Sequence, residues 1–85
     1  MSAEEFNSLD EQTKRVLIFE ADKVEEVENG PEKFELFSID HFFVEIKTYQ
    51  HDCIRRSIKT YEPHQLPRCY SYTLFFFSNQ RRKIS

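Results

Sequence analysis

Eighty-five residues with a formal net charge of −3 make a single domain with a small core, and the modest charge separates it from disordered chains. One glycine and three prolines exclude linker-like and collagen-like classes, and two cysteines, Cys53 and Cys69, are too few for a disulfide-dense secreted scaffold. Nine phenylalanines and four tyrosines partly offset the short length, because aromatic side chains bury the most area per residue.

Charge is unevenly divided. Residues 1–32 hold three basic and ten acidic side chains, whereas residues 33–85 hold nine basic and five acidic. Such a division steers encounters and biases association without dictating a fold. No charged-then-apolar leader opens the chain, and no apolar run approaches the roughly 18 residues of a membrane span. A soluble cytoplasmic protein with reduced thiols is expected.

Taken in order, residues 1–7 read as a frayed lead-in anchored by Phe6. Ser8-Leu9-Asp10-Glu11 then matches a capping box, with acidic residues suited to the positive end of a helix dipole. The helix runs through Val16-Leu17-Ile18-Phe19, and Leu9, Thr13, Val16, Leu17, Glu20 and Ala21 trace the expected inner face. Residues 23–28 fit either a continuation of this helix, through Val24 and Val27, or an acidic edge strand. The strand is preferred, because Asn29-Gly30 is a strong hairpin-turn dipeptide and Pro31 suits a turn.

Phe34 to Ile39 and Phe42 to Tyr49 form the clearest hairpin, with Asp40-His41 as its two-residue turn. If Ile39 faces Phe42, then Phe37 faces Val44 and Glu35 faces Ile46. One sheet face then carries Phe37, Ile39, Phe42, Val44 and Ile46, and the other carries Phe34, Leu36, Phe43 and Tyr49 among charges. On this reading Val44→Asp unfolds the domain, whereas Glu45→Ala is mild. Gln50-His51-Asp52 turns the chain into a further strand, Cys53 to Tyr61, with Ile54 and Ile58 on the apolar face. Glu62-Pro63-His64-Gln65 ends the sheet. Residues 66–77 combine helical spacing with strand-like composition. A short helix near Leu66 to Leu74, with Pro67 in its first turn, is preferred.

The fold class is therefore α+β: an N-terminal helix, a three- or four-stranded antiparallel meander and a short C-terminal helix. One domain spans 1–85, ordered over about 6–77, with a basic tail at 78–85. The succession of capped helix, acidic hairpin, Leu36-Phe37, Phe42-Phe43-Val44-Glu45-Ile46, Ile54, Ile58 and Leu66 to Leu74 resembles a family of small uncharacterised bacterial proteins, mainly of Bacteroidetes-type genomes. The resemblance covers roughly Phe6 to Leu74 and implies that the helix ends before the acidic strand. Ala21-Asp22 stands where that family's pattern has a glycine turn. No activity or functional residue follows from the resemblance.

Candidate chemistry is sparse. His41, His51, His64, Cys53 and Cys69 lack the paired short spacing of zinc ligands, and turn histidines with a half-buried cysteine account for them. Cysteine catalysis would need an activated thiolate, for which Arg55 and Arg68 offer little. The carboxylates Glu35, Asp40, Glu45 and Asp52 read as charges on a solvated sheet face. No enzyme activity, cofactor or small-molecule substrate is expected. Arg55, Arg56 and Lys59, near Tyr49 and Tyr61, hold the ingredients of a nucleic-acid platform, and Arg81-Arg82-Lys83 adds a basic tail. The acidic first third opposes a polyanion and makes this the secondary reading. The leading expectation is a non-catalytic interaction or regulatory module with a protein partner or as a homodimer. Phe75, Phe76 and Phe77 are the expected adhesive patch.

Overall fold

The computed structural model describes residues 1–49 and 52–75, with 52–56 described by backbone only. The elements run α1 (Ala3–Asn7), α2 (Glu11–Glu20), β1 (Asp22–Asn29), β2 (Glu32–Ile39), β3 (Phe42–Tyr49) and β4 (Asp52–Tyr61), then a 3-10 turn (Pro63–Gln65). A last short helix, α3, occupies 71–75. The four strands form one antiparallel meander in the order β1-β2-β3-β4, as the expected α+β class requires. The expected turn at Gln50-His51, the tail at 78–85, and Phe76 and Phe77 lie outside the described residues.

The N-terminus departs from expectation. Residues 3–7 are helical, with a full capping box between Ser2 and Glu5: the Glu5 amide donates to Ser2 Oγ at 3.2 Å and the Ser2 amide to Glu5 Oε1 at 3.0 Å. Five residues are too few for a self-sustaining helix. This one is held by Phe6, which is fully buried with its ring 5.8 Å from that of Phe42. Ser8 is occupied in closing α1, its amide donating to the Glu4 carbonyl at 3.1 Å. It therefore cannot open the next helix. Asp10 caps α2 instead, its Oδ1 accepting from the Thr13 amide at 3.2 Å. That bond holds the Asp10 carboxyl below the usual aspartate range.

The inner face of α2 also differs. Ile18 is buried, Leu17 and Lys14 are half-buried, and Thr13, Val16 and Glu20 face outward. The contact stripe thus runs Lys14-Leu17-Ile18, the i, i+3, i+4 pattern of one helix face, and Val16 and Phe19 fall outside it. The helix stops at Glu20 and the acidic segment is a strand, as preferred. Asn29 pairs with Glu32, so the loop is Gly30-Pro31 rather than Asn29-Gly30. Gly30 takes φ +61°, open to glycine without steric cost, and Pro31, lacking an N–H, sits where the ladder needs none.

The central hairpin has the expected register: Ile39 opposite Phe42, Phe37 opposite Val44, Glu35 opposite Ile46. The first loop residue, Asp40, sits at φ +49°, a region Asp tolerates better than most side chains. β4 continues the pairing with Ile58 opposite Ile46, Lys59 opposite Glu45 and Tyr61 opposite Phe43. After the 3-10 turn, Leu66 is extended (φ −61°, ψ 131°), as a residue before proline tends to be. Residues 67–70 form a turn closed by the Tyr70 amide donating to the Pro67 carbonyl. The C-terminal helix therefore begins at Ser71, not at Leu66, and Pro67 is not in its first turn.

Each face of the sheet carries a core cluster. On one, Phe6, Ile18, Phe42 and Val44 are buried with Leu9, Leu17, Phe37, Ile39, Ile46 and Ile58 against them. On the other, which the sequence reads as a mixed, solvated face, Leu36, Phe43, Leu66 and Tyr70 form a second core, joined by Val24, Val27, Phe34, Tyr61 and Leu74. A bulge serves this second core. The register shifts between Lys23 and Glu25, leaving Val24 as the extra residue, so that Val24 and Glu25 both reach the same face. Val24 packs into the core and Glu25 accepts from α3.

Candidate functional site

The two covers differ in extent. At 1.5 Å per residue the ten residues of α2 span about 15 Å, whereas the eight-residue strands below run about 27 Å. With α1 shorter still, the helices cannot roof the whole apolar face. The uncovered part is a cleft of about 370 Å³ lined by Ile18 and Phe19 of α2, Phe37 of β2, Ile46 of β3 and Ile58 of β4, with Glu11 and Arg15 at the rim. Ile46 and Ile58 are direct cross-strand neighbours, so the floor is continuous.

Phe19 is the outlier. It is 90% exposed, and Val16 on the same helix is 54% exposed. Arg15 Nη2 donates to Glu11 Oε1 at 3.0 Å, an i, i+4 pair at the cleft rim. On the β1–β2 side Lys23 bonds to both Glu26 and Glu35, and Lys33 lies 3.7 Å from Glu26. Because Lys23 stands opposite Phe37 and Glu35 opposite Ile46, this charge-balanced network borders the cleft.

The opposite face is closed by polar contacts. The Tyr70 hydroxyl donates to Glu45 Oε2 at 2.7 Å, with Tyr70 fully buried and Glu45 7% exposed. Burial, then the neighbouring carboxylate, pushes the Tyr70 phenol far above its ordinary range. Glu45 is thus a buried anchor and not one of a set of solvated charges, a correction to the sequence reading. Glu25 Oε1 accepts from both the Thr73 amide (3.0 Å) and the Thr73 hydroxyl (2.7 Å). Thr73 is the third residue of α3, so a carboxylate from β1 satisfies a helix-start N–H that Tyr70, at the cap position, has no side-chain acceptor to reach. The exposed Cys69 thiol is pushed up by partial burial and by Glu45 and Glu25, the reverse of nucleophile activation.

The residues singled out from sequence are not brought to the cleft. Phe75 is 66% exposed on α3, on the other side of the sheet, and Phe76 and Phe77 lie outside the described residues. Lys59 lies over the Tyr61 ring at 5.5 Å. The side chains of Arg55 and Arg56 fall outside the description. Among the described residues, no group of three or more His, Cys, Asp or Glu side chains is arranged to hold a metal ion, and no helix is long and apolar enough to cross a membrane.

Phe19 and its cleft are what sequence reasoning missed, although a signal was present. Val16-Leu17-Ile18-Phe19 is four apolar residues in a row on a helix. At 100° per residue they sweep most of the circumference, so some must face away from the sheet. Comparison with protein families, curated proteins and solved structures gives no match.

Proposed function

We propose that this domain is a non-catalytic protein-interaction module whose contact site is the cleft beside α2. The observation that carries this reading is Phe19, 90% exposed at the lip of an apolar cleft. A large aromatic beside a recess lined by Phe37, Ile46 and Ile58 has the make-up of an interface anchor, whereas singly scattered exposed apolar residues need no explanation. The apolar floor and charged rim reproduce the usual anatomy of such a contact. The acidic first third of the chain supports a protein partner over a nucleic acid. We place the module in the cytoplasm, a reading supported by the exposed free thiol of Cys69.

The test is a photo-crosslink. With p-benzoylphenylalanine at position 19, irradiation in host cells is expected to trap a polypeptide, and Ile46→Asp in the cleft floor is expected to abolish the adduct. The same probe at Lys59, on the opposite face, serves as control. Absence of any polypeptide adduct at position 19, or equal trapping at both positions, would count against the reading.

A further inference from the structure

We infer that the outer surface of the C-terminal cover, on the side of the sheet away from the cleft, docks on the surface of an anionic phospholipid bilayer. This is independent of the cleft and its partner. Three observations carry it.

First, α3 presents aromatic side chains outward. Thr73 is buried and Leu74 packs on the second core, whereas Tyr72 and Phe75 are 69% and 66% exposed. At 100° per residue these two lie one turn apart, on the side of α3 opposite Thr73 and Leu74. The bonds from Thr73 to Glu25 and from Tyr70 to Glu45 fix the inner side to the sheet. The outward pair is therefore displayed by a held element.

Second, the charge of this surface has one sign. All fifteen acidic residues of the chain lie within 1–62, and residues 63–85 hold Arg68, Arg81, Arg82 and Lys83 with no Asp or Glu. Arg68 is exposed on the turn that leads into α3. The carboxylates beneath the segment, Glu25 and Glu45, accept from Thr73 and Tyr70, and Glu32 on the same sheet face is paired with Lys47. Acids elsewhere on the chain are screened beyond a Debye length of about 8 Å.

Third, rings and cations are ordered along the chain in separate blocks. The sequence sets Phe75, Phe76 and Phe77 before Arg81-Arg82-Lys83, and from Phe77 to Arg81 is at most about 14 Å of chain. A bilayer offers apolar depth directly beneath a layer of phosphates, so the rings can enter while the cations stay at the headgroups. Single-stranded nucleic acid instead rewards rings interleaved with cations, stacking bases along a basic groove. Three consecutive phenylalanines set apart from the basic cluster match the bilayer.

The test uses the full chain and vesicles of phosphatidylcholine, alone or mixed with equal parts of phosphatidylglycerol. The chain has no tryptophan, so Phe75→Trp installs a single reporter at an exposed site. Cosedimentation with the mixed vesicles is expected, with little on phosphatidylcholine alone, and it should fall at 1 M salt, where the Debye length is about 3 Å. The emission of Phe75→Trp should shift to the blue and be quenched by lipids brominated in their acyl chains, while that of Phe19→Trp stays unchanged. Replacing Arg81, Arg82 and Lys83 together by glutamine should weaken binding about a hundredfold, roughly fivefold for each cation. Tyr72→Ser with Phe75→Ser should weaken it about tenfold or more. Circular dichroism confirms that each variant stays folded. The proposal is overturned by failure to bind the mixed vesicles, by equal binding to neutral ones, or by binding that leaves the position-75 emission unshifted. If polyuridylic acid changes that emission and the vesicles do not, the surface is a nucleic-acid one and the proposal likewise falls.

Discussion

The two faces of this sheet are covered by different physics. On the helix side, α2 meets the strands through Ile18 and Leu17, and apolar contact is non-directional, so a roof that is too short still holds and leaves an opening. On the other side the segment 66–75 adds directional bonds to its apolar contacts: Tyr70 to Glu45, and Thr73 to Glu25. Hydrogen bonds to buried groups admit one geometry, and leaving them unmade is costly. The helix face is therefore the side on which another surface can be accommodated, and the C-terminal face is the side that fixes its cover in place.

The harshest way to break this comparison is Val44→Asp. Val44 is fully buried on the central strand β3 among Phe6, Ile18 and Phe42. A carboxylate there has no partner, and its desolvation cost of several kcal/mol rivals the entire stability of a small domain. Loss of the cooperative thermal transition is expected, followed by circular dichroism. A folded Val44→Asp protein would mean that the helix side is not a core.

Next in size is the latch. The sequence reading expects Glu45→Ala to be mild. The structure reverses that, because the substitution strands the buried Tyr70 hydroxyl and opens a void beneath it. Glu45→Leu, which fills the space, and Tyr70→Phe should each cost about 1–3 kcal/mol in urea unfolding. The double variant should cost clearly less than the sum, since neither buried polar group is then left alone. Strict additivity would show that the two side chains do not depend on each other.

Why Glu45 misleads is instructive about what the sequence makes legible. Period-2 alternation shows that Glu45 points away from Val44, and it does. Whether that side is wet depends on Tyr70, 25 residues further on, and alternation carries no information about such distant cover. The β2–β3 register was readable because a two-residue loop fixes it locally. The bulge at Val24 was not, since its reason is a tertiary need for Val24 and Glu25 on one face. At the N-terminus the pattern Ser-x-x-Glu occurs twice, at Ser2 and Ser8. Only the burial of Phe6 shows that the first is the capping box. As for the cleft, its exposed apolar residues follow from the Val16–Phe19 run, but its shape follows from the mismatch between helix and strand lengths.

Alkaline titration sharpens the contrast from another side. In the folded protein the Tyr70 phenol keeps its proton above its ordinary value of 10.0, because burial and Glu45 both disfavour a second negative charge. Once unfolded, the same phenol ionises near that value. Above it the unfolded state binds fewer protons than the folded one, so stability falls as pH rises. Urea midpoints measured from about pH 9 to 12 should fall more steeply in wild type than in Tyr70→Phe. Equal slopes would mean that the phenol titrates freely in the folded state.

The smallest expected effect concerns Glu25. Its carboxylate does for α3 what Asp10 does for α2, accepting from an early helix amide, but it comes from a strand 48 residues away. A cap within the helix acts whenever that helix forms. This one acts only while the C-terminal segment lies on the sheet, so it couples the order of α3 to docking. Glu25→Ala should therefore cost about 1 kcal/mol, the usual size of a lost cap, and should show itself locally. Amide hydrogen exchange should accelerate at residues 72–74, while the β2–β3 hairpin, held by Leu36 and Phe43 from the same side and by Val44 from the other, keeps its protection. Glu25→Gln retains an acceptor oxygen and should recover most of the protection. If Glu25→Ala instead accelerates exchange equally in the hairpin, the C-terminal cover is part of the global folding unit, and the difference between the two faces is one of chemistry alone.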